Sequence, residues 1–213
     1  MNLPIFPLNT VLFPQGLIPL QVFEVRYLNM VQRCEKEGSP FIVACLQDGD
    51  EVQRPDPSGE ATYQQERFHH TGTLAHIEHT SVVKPGLLRI VCRGGERVRI
   101  DRCEKGPLGL WVGDAEAIPK DKLVTIPSEL SHISDALSDV LGRLYQDFPD
   151  AMGVSPPPEA GATEWEDAGW VANRWAELLP LPNDVKLRLL TNDSPLIRLE
   201  LVGDQLDELG LSH

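Results

Sequence analysis

Four histidines crowd one short segment, His69, His70, His76 and His79. Imidazoles at that density could ligate a metal or shuttle protons near neutral pH. The segment reads as a β-strand, however, and alternation places His70 and His76 on one face and His69 and His79 on the other. A metal site needs at least three converging ligands, so surface or hydrogen-bonded histidines are expected. Four cysteines, Cys34, Cys45, Cys92 and Cys103, could in principle form two disulfides, but none is paired as C-x-x-C. Three of them lie in apolar strand or helix patterns, which favours buried free thiols over zinc ligation or bridging. Arg89, Arg93, Arg97, Arg99 and Arg102 form a basic stripe, with Glu96, Asp101 and Glu104 beside it. That pattern is expected to be a solvated, salt-paired outer face. No G-x-x-x-x-G-K-[ST] loop is present to cradle a nucleotide phosphate. The expectation is a protein without catalytic residues, metal ligands or cofactor, and hence not an enzyme.

The elements that must carry these residues fall into two halves. The first is strand-rich: Leu3–Leu8, Leu17–Phe23, Phe41–Leu46, Phe68–His79, Leu87–Cys92, Arg97–Cys103 and Leu110–Ile118. One short helix interrupts them, about Val25 to Glu37, where Tyr27, Val31 and Cys34 share a face and Gly38 can end it. Asp48 to Glu66 is polar and reads as a mobile loop. The strands flanking Gly94-Gly95 carry apolar residues at even positions on both sides, so a two-residue turn would put the two sets on opposite faces. A three-residue or bulged hairpin turn with positive φ at Gly95 is therefore expected. Prolines at 4, 7, 14 and 19 bar a helix from the opening segment and leave short kinked strands.

The second half is helical. Pro127-Ser128 opens a helix to about Phe148 with Ser128 as N-cap, and Gly153–Gly161 is a linker or ordered loop. Thr163–Leu179 reads as a helix with a Thr163/Glu166 capping box, followed by Pro182–Thr191 and a last helix from Ser194-Pro195 to about Leu209. The expected division is 1–126, a β-rich unit, and 127–213, a helical one. Charge follows the same division. Residues 1–127 hold 14 Lys and Arg against 16 Asp and Glu, the remainder 5 against 16, and the net charge is −13. Such a surface repels phosphate backbones and argues against nucleic acid as partner. No apolar run reaches the roughly 20 residues of a membrane helix, and the proline-rich apolar start lacks a basic flank, so a cytoplasmic protein without membrane attachment is expected.

Phe6-Pro7-Leu8, Val11-Leu12-Phe13-Pro14, Ile18-Pro19-Leu20 and Phe23-Glu24-x-Arg26-Tyr27 together form a pattern. It resembles the substrate-binding N-terminal domain family of the Lon protease, in particular the stand-alone bacterial members that lack the rest of the protease. Gly72-Thr73-Leu74-Ala75, Gly94-x-x-Arg97-Val98-x-Ile100, Pro182–Leu190 and Arg198 are similar to the family's later motifs. Gln15, before the glycine that follows Phe13-Pro14, and Val22 in place of isoleucine are small departures. The resemblance implies an α+β fold, a PUA-like six-stranded pseudo-barrel followed by a helical bundle. It also implies recognition of unfolded or tagged polypeptides, or of a partner protein, without the ATPase and Ser-Lys peptidase parts of full-length relatives.

The expected function is a polypeptide-binding module, an adaptor or chaperone-like binder. It would use apolar grooves on the barrel and at the barrel–bundle junction, and sheet edges open to strand addition. An RNA-binding PUA-like module is the alternative, on fold analogy alone. Candidate binding residues are Phe23, Glu24, Arg26, Tyr27, Trp165 and Trp170. For the first group a structural role competes: Arg26 and Glu24 can satisfy buried polar groups where strand meets helix. Trp165, Trp170 and Trp175, spaced by five, do not share one helical face, so one is expected to be exposed or packed against the barrel.

Overall fold

A computed structural model describes residues 1–52, 66–148 and 156–211, and shows a mixed α+β protein. Contacts divide it into two units, Met1–Pro119 and Lys120–His213. The first unit contains β1 (Asn2–Leu8), β2 (Leu17–Val22), α1 (Val25–Glu37), β3 (Phe41–Asp48), β4 (Arg67–Lys84), β5 (Leu87–Lys105) and β6 (Trp111–Ala117). The six strands form one sheet in the order β2-β5-β4-β3-β1-β6, and a further β5–β6 pairing closes it on itself. β1 runs parallel to β3 and antiparallel to β6. Among the described residues β2 pairs with β5 alone, as an edge, where the missing N–H of Pro19 is tolerated.

Strands β1 and β3 are buried on both faces, which explains their unbroken apolar runs. Ile5 and Ile42 join Leu74, Val98, Ile100 and Ala115 in one cluster. Their neighbours Phe6, Phe41 and Val43 face the other way, against β2 and the Tyr27, Met30, Val31 and Cys34 face of α1. The helix ends as its sequence indicates, at left-handed Gly38, whose N–H donates to the Cys34 carbonyl.

The expected hairpin at Gly94-Gly95 is not there. β5 runs straight through it as one 19-residue strand, and the turn between β4 and β5 lies at Pro85-Gly86 instead, with Gly86 at φ 79°. A bulge does occur at the glycines, since Thr73 pairs with Arg97 and Ala75 with Gly94. The glycines serve close approach rather than reversal. The Val11–Gly16 loop crosses β5 here: Gln15 N–H donates to Gly94 O at 2.7 Å and Gly94 N–H to Gly16 O at 2.8 Å. A Cβ on Gly94 would lie 2.1 Å from the Phe13 carbonyl oxygen.

Arg97 is buried, so the arginine stripe is not a uniform outer face. Arg93 pairs with Glu78 on β4 and also donates to Gln15 O. Register shifts at Thr73/Ala75 and Ile77/His79 break the simple alternation assumed for the histidines. His70 Nδ1 lies 2.8 Å from Ile100 O, and the His76 ring lies against Gly95.

The second unit contains α2 (Ser131–Asp147), α3 (Ala168–Leu178), α4 (Asn183–Thr191) and α5 (Pro195–Glu208). Two expected caps are corrected. Ser128 opens a 3-10 turn over Ser128–Leu130, and its carbonyl accepts from Ser131 Oγ, so α2 starts at Ser131 without a side-chain cap. Thr163–Glu166 is likewise a 3-10 turn; the cap of α3 is Asp167, whose carboxylate accepts from Gly169 N–H at 3.0 Å. Asp167 prevails because it stands directly before the helix and is itself a strong N-cap type. The last helix opens at Ser194-Pro195 as expected, and Ser194 caps it by accepting from Ile197 N–H. Val124 and Thr125 pair with Ala168 and Asp167, which ties residues 124–125 to the helical unit. Arg198 is buried and organises its surroundings, donating to Asp121, Asn173 and the Asn192 carbonyl, each at 2.8 Å. Residues 53–65 of the expected loop and 153–155 of the expected linker lie outside the described residues.

Candidate functional site

Phe23, Glu24, Arg26 and Tyr27 come together where β2 turns into α1. The Glu24 carbonyl accepts the first helical N–H groups, from Tyr27 and Leu28, while its side chain turns to Arg26. Arg26 is only 3% exposed. Its Nε donates to Glu24 Oε2 at 2.9 Å, Nη2 to Glu66 Oε1 at 3.0 Å and Nη1 to the Gly109 carbonyl at 3.0 Å. Glu66 also accepts from Trp111 Nε1 at 2.7 Å and stands 3.7 Å from Lys105 Nζ. Burial opposes the guanidinium's charge, but Glu66 and Glu24 outweigh it and raise the Arg26 pKa. Tyr27 stacks on Phe6 with ring centroids 3.9 Å apart, beneath the Arg26 guanidinium at 4.4 Å, and burial pushes its phenol pKa up.

Arg26 thus holds together a helix start, the 3-10 turn at Pro107–Gly109 and the entry to β4. Glu66 is the partner that sequence reasoning missed, and it lies forty positions away with no local signal. Phe23 is placed differently. Half of it is exposed (50%), beside a groove of about 270 Å³. Phe6 and Leu8 of β1, Leu20 and Val22 of β2, and Tyr27 form its apolar wall, and Glu24, Glu51 and Val52 its rim. That volume lies below the roughly 300–1,000 Å³ of cofactor and small-molecule pockets. It suits one or two inserted side chains. The ionisable groups on its described lining are Glu24, Glu51 and buried Tyr27, and nothing there activates a nucleophile.

Trp165 and Trp170 belong to the other unit, where they meet edge to face at 5.3 Å. Trp170 is buried and Trp165 partly so, with Trp165 Nε1 donating to the Glu159 carbonyl. Among the described residues no three His, Cys, Asp or Glu side chains converge as metal ligands, and no helix is long and apolar enough to cross a membrane.

The thiols give a test of this packing. All four cysteines are free, Cys34, Cys45 and Cys92 buried and Cys103 partly exposed. Burial pushes the Cys92 thiol up to about 12 and Cys45 up to about 11. Since the thiolate is the reactive form, a maleimide at about pH 8 should label Cys103 first and the other three only in denaturant. Mass spectrometry showing rapid labelling of all four would contradict the packing.

The model of the ATP-dependent protease La (LON) substrate-binding domain matches residues 2–208. The chain belongs to that family. A Lon N-terminal domain protein from Xanthomonas campestris is similar in structure, with a TM-score of 0.69 and 31% identity over 96% of this chain and 98% of that one. The N-terminal domain of the Mycobacterium avium complex Lon protease shares the fold at a TM-score of 0.59 and 16% identity, over 98% of this chain and 99% of its own. No curated protein matches. Within this Lon-domain chain, the Phe23–Tyr27 motif is where the scaffold's buried ion network reaches the surface as an apolar groove.

Proposed function

We propose that this chain is a non-catalytic polypeptide-binding module that takes an apolar segment into the groove between β1 and β2, acting as an adaptor or chaperone-like binder of unfolded or tagged chains. The half-exposed Phe23 beside an apolar cleft carries the reading, because an exposed aromatic next to a pocket is the usual anchor of protein recognition. Membership of a substrate-binding domain family supports it. In this reading Phe23 and Glu24 meet the ligand, Arg26 and Tyr27 hold them in place, and the partly exposed Trp165, packed on buried Trp170, forms a separate contact region. The fold is then a PUA-like pseudo-barrel with a helical bundle, working in the cytoplasm. Side-chain insertion is favoured over strand addition at β2, where Pro19 leaves a gap in the donors of the open edge.

The test is fluorescence anisotropy with a reduced and alkylated, permanently unfolded polypeptide. Replacing Phe23 with alanine should weaken binding about ten-fold, the effect of losing one anchor side chain. Unchanged affinity would move the site elsewhere. Binding confined to a single-stranded RNA of similar size, and lost steeply with salt, would replace the reading.

A further inference from the structure

The groove's chemistry specifies more than an apolar ligand. Of the described residues on its lining, none is basic, and Glu24 and Glu51 stand on its rim. The nearby cation, Arg26, is buried below, with two of its donor groups turned to Glu24 and Glu66 and a third to the Gly109 carbonyl. Arg26 and Lys105, the latter 3.7 Å from Glu66, balance those two carboxylates, and Glu51 adds a further negative charge at the rim. Glu51 is fixed by accepting the Asn9 backbone N–H at 2.6 Å, so its charge is held at the rim rather than swinging away. We infer that the groove selects polypeptide segments in which an apolar side chain is flanked by lysine or arginine, the apolar residue entering between β1 and β2 and the cation meeting Glu51 and Glu24. This rests on the polypeptide-binding reading above and adds a sequence preference to it. The walls alone would accept any apolar segment, so the rim carboxylates are the discriminating groups.

Three labelled dodecapeptides with the same Leu-Phe-Val centre, flanked by lysines, by serines or by glutamates, separate the possibilities in anisotropy titrations. The lysine-flanked peptide should bind about ten-fold more tightly than the glutamate-flanked one, roughly three-fold per carboxylate, and the gap should shrink as salt rises. Glu51→Gln keeps an acceptor for Asn9 and should narrow the gap; Glu51→Lys should close or reverse it. Glu200→Lys, at an exposed position of α5 that is not on the groove's lining, changes the net charge by the same amount and should leave the gap intact. Equal affinity for all three peptides overturns the preference while leaving polypeptide binding in place. A gap that survives Glu51→Lys, or that Glu200→Lys narrows as much, assigns it to overall charge and also overturns the inference. Failure of every peptide, with the unfolded polypeptide also unbound, removes the underlying reading with it.

Discussion

Replacing Gly94 with alanine should unfold the first unit or leave it barely stable, a loss of about 3–5 kcal/mol at the high end for overpacking. The added methyl would lie 2.1 Å from the Phe13 carbonyl oxygen and 3.0 Å from its carbon, both backbone atoms. Neither partner can retreat easily. Two hydrogen bonds clamp the crossing loop to Gly94, and Thr73 Oγ1 donates to the Leu12 carbonyl at 2.6 Å from the adjacent strand. Moving the loop breaks all three and uncovers Leu12 and Phe13, which are buried. Gly142, in α2, provides the comparison: a Cβ there meets nothing within 4 Å. Gly142→Ala should therefore stabilise by about 0.5–1 kcal/mol through helix propensity. Urea denaturation curves give both values, and a Gly94→Ala protein within about 1 kcal/mol of the parent would refute the loop crossing.

The same residue shows where the sequence was legible and where it was not. Alternation on either side of Gly94 was real, and so was the need for an irregularity, but local pattern could not distinguish a chain reversal from a strand crossed by a remote loop. That loop comes from Val11–Gly16, far away in sequence, and long-range approach leaves no period behind. Helix α1 was readable to its ends because its determinants are local: an apolar face, a left-handed Gly38, a proline beyond. Prolines in the opening segment were readable for the same reason, each tied to a strand or turn by its own backbone. Cap choice failed at Thr163 because a capping box also fits a 3-10 turn, and Asp167 stood closer to the helix. At the candidate site the Phe23–Tyr27 motif was visible, with Arg26 and Glu24 expected to satisfy buried polar groups; their pairing with each other was not. The groove itself was not, since β1, β2 and residues 51–52 supply its walls from separate stretches.

Arg26→Met should cost the first unit about 3–5 kcal/mol, the usual penalty for stranding a buried charge. Glu66, whose side chain is 4% exposed, would keep Trp111 as a donor but lose its closest cation; the Lys105 ammonium is farther, at 3.7 Å. Glu24, 16% exposed, can turn to water and suffers less. The double variant Arg26→Met/Glu66→Gln should recover a substantial part, because the introduced amide oxygen would still accept from Trp111 while the carboxylate charge is gone. A double-mutant cycle by chemical denaturation should give a coupling above about 1 kcal/mol. Additive losses would mean that Arg26 acts through its packing on Tyr27 rather than through Glu66. Peptide affinity measured alongside separates scaffold from ligand contact: Phe23→Ala should weaken binding with little change in stability, whereas Arg26→Met should lower stability first and weaken binding only as far as it releases Glu24.

Closure of the sheet also fixes an order of assembly during synthesis. Asn2 and Asp114, linked across β1 and β6 by a 3.1 Å side-chain hydrogen bond, are 112 positions apart. At about 5–20 residues per second, β1 waits on the order of ten seconds after emerging before its second neighbour exists. Throughout that interval its apolar residues lack one wall of their enclosure, and pairings this distant along the chain form slowly. The strand made first waits longest for its second neighbour, so the nascent chain itself passes through the kind of exposed, apolar state that its finished groove is proposed to bind.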